Sequence, residues 1–282
     1  MPETKLSAFV AGSIKKLKTA GIDNPDLDAR LLIGDALGLD RADIFSQSDH
    51  ILKPEEIAQI QTYIARRLKH ESVARIIGER EFWSLPFGLN EATLEPRPDS
   101  ETLIEVALSK NKKQELSIFD LGAGTGCLLL SLLHELPKAT GLGIDIAPRA
   151  VEQAQKNATR LGLEGRAKFQ MNNWADGITE KFDIVISNPP YIAHEDIAGL
   201  MPEVGNYDPV AALDGGEEGL EVYHFLIPQL SRLLKPQGFA IFEVGIGQAK
   251  TVGDIFKKNG FTEISTHRDL SGIERCVVAY IP

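Results

Sequence analysis

Short apolar runs alternate with helical stretches from Leu116 onward, and this alternation restricts the fold more than any other feature of the chain. The runs lie at Ser117–Leu121, Gly141–Ile144, Ala167–Gln170, Asp183–Ser187 and Phe239–Val244, and two more follow at Phe261–His267 and Arg275–Ile281. Strands that alternate with helices form a parallel sheet covered by helices on both faces. The pattern therefore predicts an α/β fold.

The first 70 or so residues follow a helical pattern instead. Their apolar residues recur at helical spacing, and Asn24-Pro25 and Pro54-Glu55-Glu56 are typical helix starts. We predict a small helical bundle over residues 1–75. Residues 76–97 alternate apolar and aromatic residues with turn formers and predict a β-hairpin linker. The α/β domain then covers residues 98–282.

Composition excludes several classes of protein. The net charge is −10 and the pI about 5.2, whereas a nucleic-acid-binding domain usually has a basic face. The two cysteines suggest neither a disulfide framework nor a zinc site. We see no signal peptide and no apolar run near the ~18 residues of a membrane span. We expect a cytoplasmic monomer that needs no metal, no direct nucleic-acid contact and no membrane.

A glycine-rich loop follows the first predicted strand. Its residues are Gly122, Ala123, Gly124, Thr125 and Gly126, and Asp145 ends the next strand, 19 residues after the last glycine. Glycines let the backbone approach a ligand closely, and the carboxyl ends of strands are where such sheets bind ligands. The spacing GxGxG is neither the dinucleotide fingerprint nor a P-loop. It favours S-adenosylmethionine, because the Asp145 carboxylate could accept hydrogen bonds from the ribose hydroxyls of that cofactor. A purely structural turn is the alternative.

The most specific motif is Asn188-Pro189-Pro190-Tyr191, which follows another predicted strand. An amide nitrogen is a poor nucleophile because its lone pair is delocalised into the carbonyl. The Asn188 side-chain oxygen and the Pro189 carbonyl can each accept one N–H of a planar NH2 group, and Tyr191 can stack on it. We predict these residues to be catalytic and, with Pro190, to bind the substrate. Positioning against a sulfonium methyl supplies the catalysis, so no strong base is needed.

These motifs resemble the PrmC/HemK family of release factor glutamine methyltransferases over nearly the whole chain. The shared segments are the helical N-terminal region, Arg80–Trp83, Pro96–Glu101, Asp120–Gly126, Asn188–Tyr191 and Arg268–Leu270. The resemblance implies a seven-stranded, Rossmann-like class I S-adenosylmethionine-dependent methyltransferase fold whose last strand is antiparallel. It also implies methylation of the glutamine in the GGQ motif of class-1 peptide chain release factors, which the N-terminal bundle helps to dock.

The resemblance implies site residues as well. Gly122 to Gly126, Asp145, Trp174 and Asn188 would contact S-adenosylmethionine, which becomes S-adenosylhomocysteine, and Asn188 to Tyr191 would hold the glutamine. Three positions depart from the usual family pattern. Asn173 replaces a common aspartate, Asp208 replaces the usual glutamate, and Asp99 occupies a position that is often glutamate.

Two other functions and several other residues stay open at this stage. The first alternative is an adenine-N6 nucleic-acid methyltransferase, because the same motif can bind the exocyclic amine of adenine. The second is a non-catalytic binding module that keeps the fold without the reaction. Cys127 is expected to be a packed thiol and His194 a solvated side chain. A substrate role for Glu243 is an open alternative. The run Arg66-Arg67-Lys69-His70 is expected to be a solvated helix end, or else a surface for acidic partners.

Overall fold

The computed structural model describes residues 4–110 and 115–282. Contacts divide the chain into two compact units: Met1–Glu79 with Met201–Tyr207, and Arg80–Leu200 with Asp208–Pro282. The first unit thus includes a short segment from far along the chain. In the described ranges, no helix combines the length and the apolar character required to cross a membrane.

The N-terminal unit is helical, as the sequence predicts. Its helices within residues 4–79 are α1 Leu6–Thr19, α2 Pro25–Leu37, α3 Arg41–Ser46, α4 Pro54–Arg67 and α5 Val73–Ile77. Apolar side chains from these helices form a separate core, which includes the fully buried Leu6, Leu17, Leu32 and Ile60. The two short helices α3 and α5 are not predicted by the pattern, since six and five residues are too few to show a helical period.

Arg67, at the end of α4, is buried rather than solvated, so the expected solvated helix end is wrong for this residue. Its side chain is 8% exposed and pairs with Asp28 at 2.7 Å and Glu203 at 3.0 Å. Glu203 belongs to the short helix α9, Pro202–Gly205, inside the Met201–Tyr207 segment. Burial opposes ionisation of Glu203, but its own backbone N–H, Arg67 and His70 donate hydrogen bonds that hold its pKa below the ordinary value.

A two-stranded hairpin follows the first helices. Strands β1 Glu79–Phe82 and β2 Leu85–Gly88 are joined by Trp83 and Ser84, whose φ angles of 53° and 56° are those of a tight hairpin turn. The predicted hairpin is present, although residues 89–97 after it form no strand.

The second unit contains the seven-stranded sheet. Its strands are β3 Ser117–Leu121, β4 Thr140–Asp145, β5 Ala167–Met171, β6 Phe182–Ser187, β7 Leu234–Glu243, β8 Thr262–Arg268 and β9 Glu274–Tyr280. The order is β5-β4-β3-β6-β7-β9-β8, and β9 runs antiparallel to both neighbours. The remaining helices are α6 Glu101–Lys110, α7 Cys127–Glu135, α8 Pro148–Arg160, α10 Glu221–Leu226, α11 Leu230–Leu233 and α12 Ala249–Lys258. The predicted α/β fold with an antiparallel last strand is confirmed.

The two faces of the sheet carry separate apolar cores. Alternating side chains of one strand serve both faces: Ile184 and Ile186 lie in one core and Val185 in the other. The strand order reverses between β3 and β6, because β4 and β5 extend to one side of β3 and β6 lies on the other. A crevice at the carboxyl ends of strands at such a reversal is the usual ligand site of open α/β sheets.

Candidate active site

The two predicted motifs meet at this reversal point. The glycine loop follows β3 and the Asn188–Tyr191 motif follows β6, and these strands pair in parallel, with Asp120 opposite Ile186. A cavity of about 420 Å³ opens between the two loops. Its lining includes Gly122, Ala123, Gly124, Thr125, Asp145, Trp174, Asn188 and Pro190, together with residues that the motifs do not predict, among them Arg97, Ser100, Ile146, Asn172 and Pro209.

The glycine loop needs its glycines for backbone conformation and for space. Gly122, Gly124 and Gly126 have φ angles of 76°, 54° and 78°, in the left-handed region that side chains disfavour. Gly126, which precedes α7, does not line the cavity, and a Cβ there would lie 2.8 Å from the Phe169 ring. The loop is therefore bent tightly enough to present backbone rather than side chains to the cavity.

Asp145 is fixed at the end of β4 beside this loop. One carboxylate oxygen accepts from the Gly124 N–H at 2.9 Å, and the other accepts from the Ala147 N–H at 2.9 Å. Burial raises the pKa of Asp145, and these backbone hydrogen bonds oppose the rise. The carboxylate is thus held in one orientation at the cavity wall.

Asp120 lies beneath the loop and is fully buried. Neither of its carboxylate oxygens has a hydrogen-bond partner within residues 4–110 and 115–282. Burial raises its pKa to about 7, the nearby backbone of Leu129 opposes this rise, and the charge of Asp145 adds to it. A buried carboxylate without a partner is costly in a folded protein. Asp120 is not part of the cavity lining.

The residues of the Asn188–Tyr191 motif occupy different places. Asn188 and Pro190 line the cavity, whereas Pro189 is buried and Tyr191 is not part of the lining. Ser187, just before the motif, donates its hydroxyl to the Leu121 carbonyl at 2.7 Å. This bond ties the end of β6 to the end of β3.

Tyr191 is held at both ends. Its hydroxyl donates to Glu243 Oε1 at 3.2 Å, and its carbonyl accepts from Gln248 Nε2 at 2.9 Å. Burial and the Glu243 charge raise the pKa of Tyr191, so the hydroxyl keeps its proton at neutral pH. Glycines leave room for this packing, since a Cβ on Gly215 would lie 2.8 Å from the Tyr191 Cα. Stacking of its ring on a substrate amide stays a prediction.

The positions that depart from the family pattern find partners of their own. Asp208 pairs with Arg97, and Asp99 accepts from Arg275 at 3.1 Å. Asn173 is exposed and its amide nitrogen lies 3.4 Å from Asp176, whereas its neighbour Asn172 lines the cavity.

Cys127 lines the cavity but has no features of a nucleophile. Burial raises the pKa of its thiol to about 12, so it is protonated at neutral pH. His194 is exposed, with its ring 2.8 Å from Asp214, which raises the pKa of the imidazole.

Asn157 is a loop-supporting residue that sequence reasoning missed. It is buried on α8, and its Nδ2 donates to the Thr125 carbonyl at 2.9 Å and the Gly88 carbonyl at 3.1 Å. Its Oδ1 accepts from the Gly88 N–H at 2.9 Å. One signal was present: the helix buries alanine and valine on one face, and an asparagine on that face needs polar partners.

Comparisons with known proteins agree with this architecture. A family model for the PrmC N-terminal domain matches residues 10–78, and a model for a methyltransferase domain matches residues 112–259. The release factor glutamine methyltransferase of Rhodospirillum rubrum is 45% identical over 98% of this chain and 87% of that protein. The corresponding Agrobacterium fabrum protein is 41% identical over 97% of this chain and 96% of its own length.

The chain belongs to the release factor glutamine methyltransferase family. This membership confirms the resemblance seen in the sequence. Among solved structures, a methyltransferase from Pyrococcus furiosus has a TM-score of 0.53 at 15% identity and covers 78% of this chain and 98% of that one. The ribosomal protein L11 methylase of Lactobacillus delbrueckii subsp. bulgaricus has a TM-score of 0.50 at 20% identity, over 67% of this chain and 81% of that one. These structures confirm the class I methyltransferase fold.

Proposed function

We propose that this protein transfers the methyl group of S-adenosylmethionine to the side-chain nitrogen of the glutamine in the GGQ motif of class-1 peptide chain release factors. The observation that carries the proposal is that the glycine loop, Asp145 and Asn188 border one cavity at the reversal point of the sheet. The names of the relatives support the substrate, at 41% and 45% identity over nearly the whole chain.

The cofactor would lie along the glycine loop. Asp145 would accept hydrogen bonds from the ribose hydroxyls, and Trp174 would contact the adenine. When bound, S-adenosylmethionine supplies an activated methyl group on a sulfonium that leaves as a neutral thioether. The residues of this chain need only bind it in one orientation and exclude water.

The substrate amide would be held by the strand-end motif. The Asn188 Oδ1 and the Pro189 carbonyl would accept the two N–H groups, which keeps the nitrogen at one point and its lone pair directed along one line. Tyr191 would cover the flat amide and exclude water. Orientation of this kind supplies a large part of a barrier reduction without an acid or a base. The product's extra proton would leave to solvent afterwards.

The test is methyl transfer from labelled S-adenosylmethionine to an intact release factor, with mass spectrometry to locate the methyl group. The matched control is the same release factor with the GGQ glutamine changed to alanine. We expect label in the first protein only, and about 100-fold lower turnover for Asn188→Ala, the size of losing one well-placed polar stabiliser. Label in DNA or RNA alone would favour an adenine-N6 methyltransferase. Binding of the cofactor without transfer to any of these would favour a non-catalytic module.

A further inference from the structure

A chain of hydrogen bonds runs from Asn188 into the interior of the second unit. Asn188 Nδ2 donates to Ser100 Oγ at 3.2 Å, and Ser100 Oγ donates to Glu243 Oε2 at 2.5 Å. Ser100 and Glu243 are 2% and 1% exposed. Asn188 lies just after β6, Ser100 in the turn before α6 and Glu243 at the end of β7, so no local sequence pattern joins them.

The direction of these bonds decides which atom Asn188 offers to a ligand. A serine hydroxyl has one hydrogen and accepts with its lone pairs. Since an ionised Glu243 only accepts, the hydrogen of Ser100 must go to Glu243. Ser100 can then only accept from Asn188, and it selects the NH2 side of that amide. The Asn188 Oδ1 is left for the cavity, where an NH2-bearing substrate needs an acceptor.

The same carboxylate holds the other end of the motif. Glu243 Oε1 accepts from the Tyr191 hydroxyl at 3.2 Å. One carboxylate oxygen of Glu243 therefore positions Asn188 through Ser100, and the other positions Tyr191 directly. Neither Ser100 nor Glu243 is needed to contact the substrate for this effect.

We propose that Ser100 and Glu243 are positioning residues that set the orientation of the Asn188 side-chain amide, so that its oxygen faces the substrate nitrogen. This inference rests on the proposed function, because only an amide or amine substrate requires an acceptor at that place. If the Asn188 amide were turned the other way, its NH2 group would face the NH2 group of the substrate, and the two donors could not form a hydrogen bond.

Protonation of Glu243 removes this directional control. A protonated carboxyl can donate to Ser100, which frees the serine hydrogen to turn toward Asn188 and reverse its amide. Burial raises the pKa of Glu243 to about 7. The Ser100 and Tyr191 hydrogen bonds and the Arg275 charge oppose that rise, and the Asp99 charge adds to it. Cys127, Cys276 and Tyr223 also face this carboxylate and stay neutral, because burial raises the pKa of each.

The pH dependence follows with a definite sign. The active form is the deprotonated one, so kcat in the wild type falls as pH drops through about 7. Glu243→Gln resembles the protonated acid, since its amide can also donate to Ser100. We expect the kcat of this variant to equal that of the wild type at low pH and to show no change with pH near 7.

The decisive experiment is a double-mutant cycle on kcat with release factor as substrate. Ser100→Ala should lower kcat about 5- to 10-fold, the shift in orientation that one net hydrogen bond supports. In the Asn188→Ala background the same change should have no further effect, because the relay acts through Asn188. Ser100→Thr keeps the hydroxyl and should restore most of the rate. Ser131→Ala, which removes a buried hydroxyl with no hydrogen bond to the described residues, is the matched control and should leave kcat unchanged.

Two readouts do not depend on turnover. Binding of S-adenosylhomocysteine checks that Ser100→Ala keeps the cofactor cavity folded. In protein labelled with ¹⁵N-asparagine, the side-chain NH2 signal of Asn188 should shift and exchange faster in Ser100→Ala. An unchanged signal, or a Ser100→Ala loss that is undiminished in the Asn188→Ala background, would overturn the proposal. If wild type transfers no methyl to release factor, the proposed function fails, and the Asn188 signal still decides whether the relay orients the amide.

Discussion

Replacing Asn157 by alanine should loosen the support of the glycine loop without touching the cavity. Asn157 is 1% exposed, and its side chain makes four hydrogen bonds: with the Thr125 carbonyl, with the N–H and the carbonyl of Gly88, and with Gln153 Nε2, which donates to its Oδ1 at 3.2 Å. Alanine makes none of them. The change therefore removes one side-chain link that joins helix α8, the hairpin and the ligand loop.

The magnitude follows from what is left behind. The Thr125 residue is 2% exposed, so its carbonyl loses a partner where water cannot replace it, at about 1–3 kcal/mol. Gly88 is only partly buried. Water can reach its two groups and the partly buried amide of Gln153, and each bond lost at these groups costs about 0.5–1.5 kcal/mol. We expect the free energy of unfolding of the second unit to fall by about 3–4 kcal/mol.

Urea unfolding followed by circular dichroism measures this change, and titration with S-adenosylhomocysteine measures the effect on the loop. Asn259→Ala is the matched control, because this exposed asparagine makes one hydrogen bond, from Nδ2 to the Ile255 carbonyl at 2.9 Å. It should cost less than about 1 kcal/mol, as surface substitutions commonly do. A loss for Asn157→Ala no larger than that of the control would refute the reasoning.

Two further changes test buried charges. Asp120 has a pKa of about 7 in the folded protein against 3.8 when exposed. Between these pH values the folded state holds a proton that the unfolded state has lost, so stability falls as pH rises from 3.8 to about 7. In the absence of ligand, Asp120→Asn should therefore be more stable than the wild type by about 4 kcal/mol at pH 8 and by less than half of that at pH 5. Thermal unfolding at the two pH values measures this difference, and an equal difference at both would contradict the prediction. Arg67→Met leaves the partly buried Asp28 without its ion-pair partner and Glu203 without its guanidinium partner, and should lower the free energy of unfolding of the N-terminal unit by about 3–5 kcal/mol in urea titration. Arg30→Met, which breaks a more exposed pair, should cost less than about 1 kcal/mol, and equal losses in the two variants would show that burial of Arg67 is unimportant.

The sequence predicted the sheet and the two loops well, because both leave local signals. All seven apolar runs are strands in the structure, with ends that differ by a few residues. For β7 the prediction began at Phe239, whereas the strand begins at Leu234. The first half of this strand shows no apolar periodicity, because Lys235, Gln237 and Gly238 interrupt it.

The supporting contacts were not predictable, because they join residues that are far apart along the chain. Ser100 and Glu243 are 143 residues apart, and Arg67 and Glu203 are 136 apart. Each of these residues alone has an ordinary interpretation, as a helix-start serine, a strand-end glutamate or a basic helix end. Their partners become evident only after the chain is folded, since nothing in the local pattern requires a partner at that distance.

The placement of Met201–Tyr207 in the N-terminal unit has a consequence for biosynthesis. Helices α1 to α5 leave the ribosome first, but the carboxylate of Glu203 that Arg67 pairs with is translated only after β3 to β6 have been made. The amino-terminal bundle is therefore first made without one of the two carboxylate partners of Arg67, and it reaches its final stability late. A fragment cut after Glu79 would lack that piece permanently, so it is a poor stand-in for the bundle of the intact enzyme.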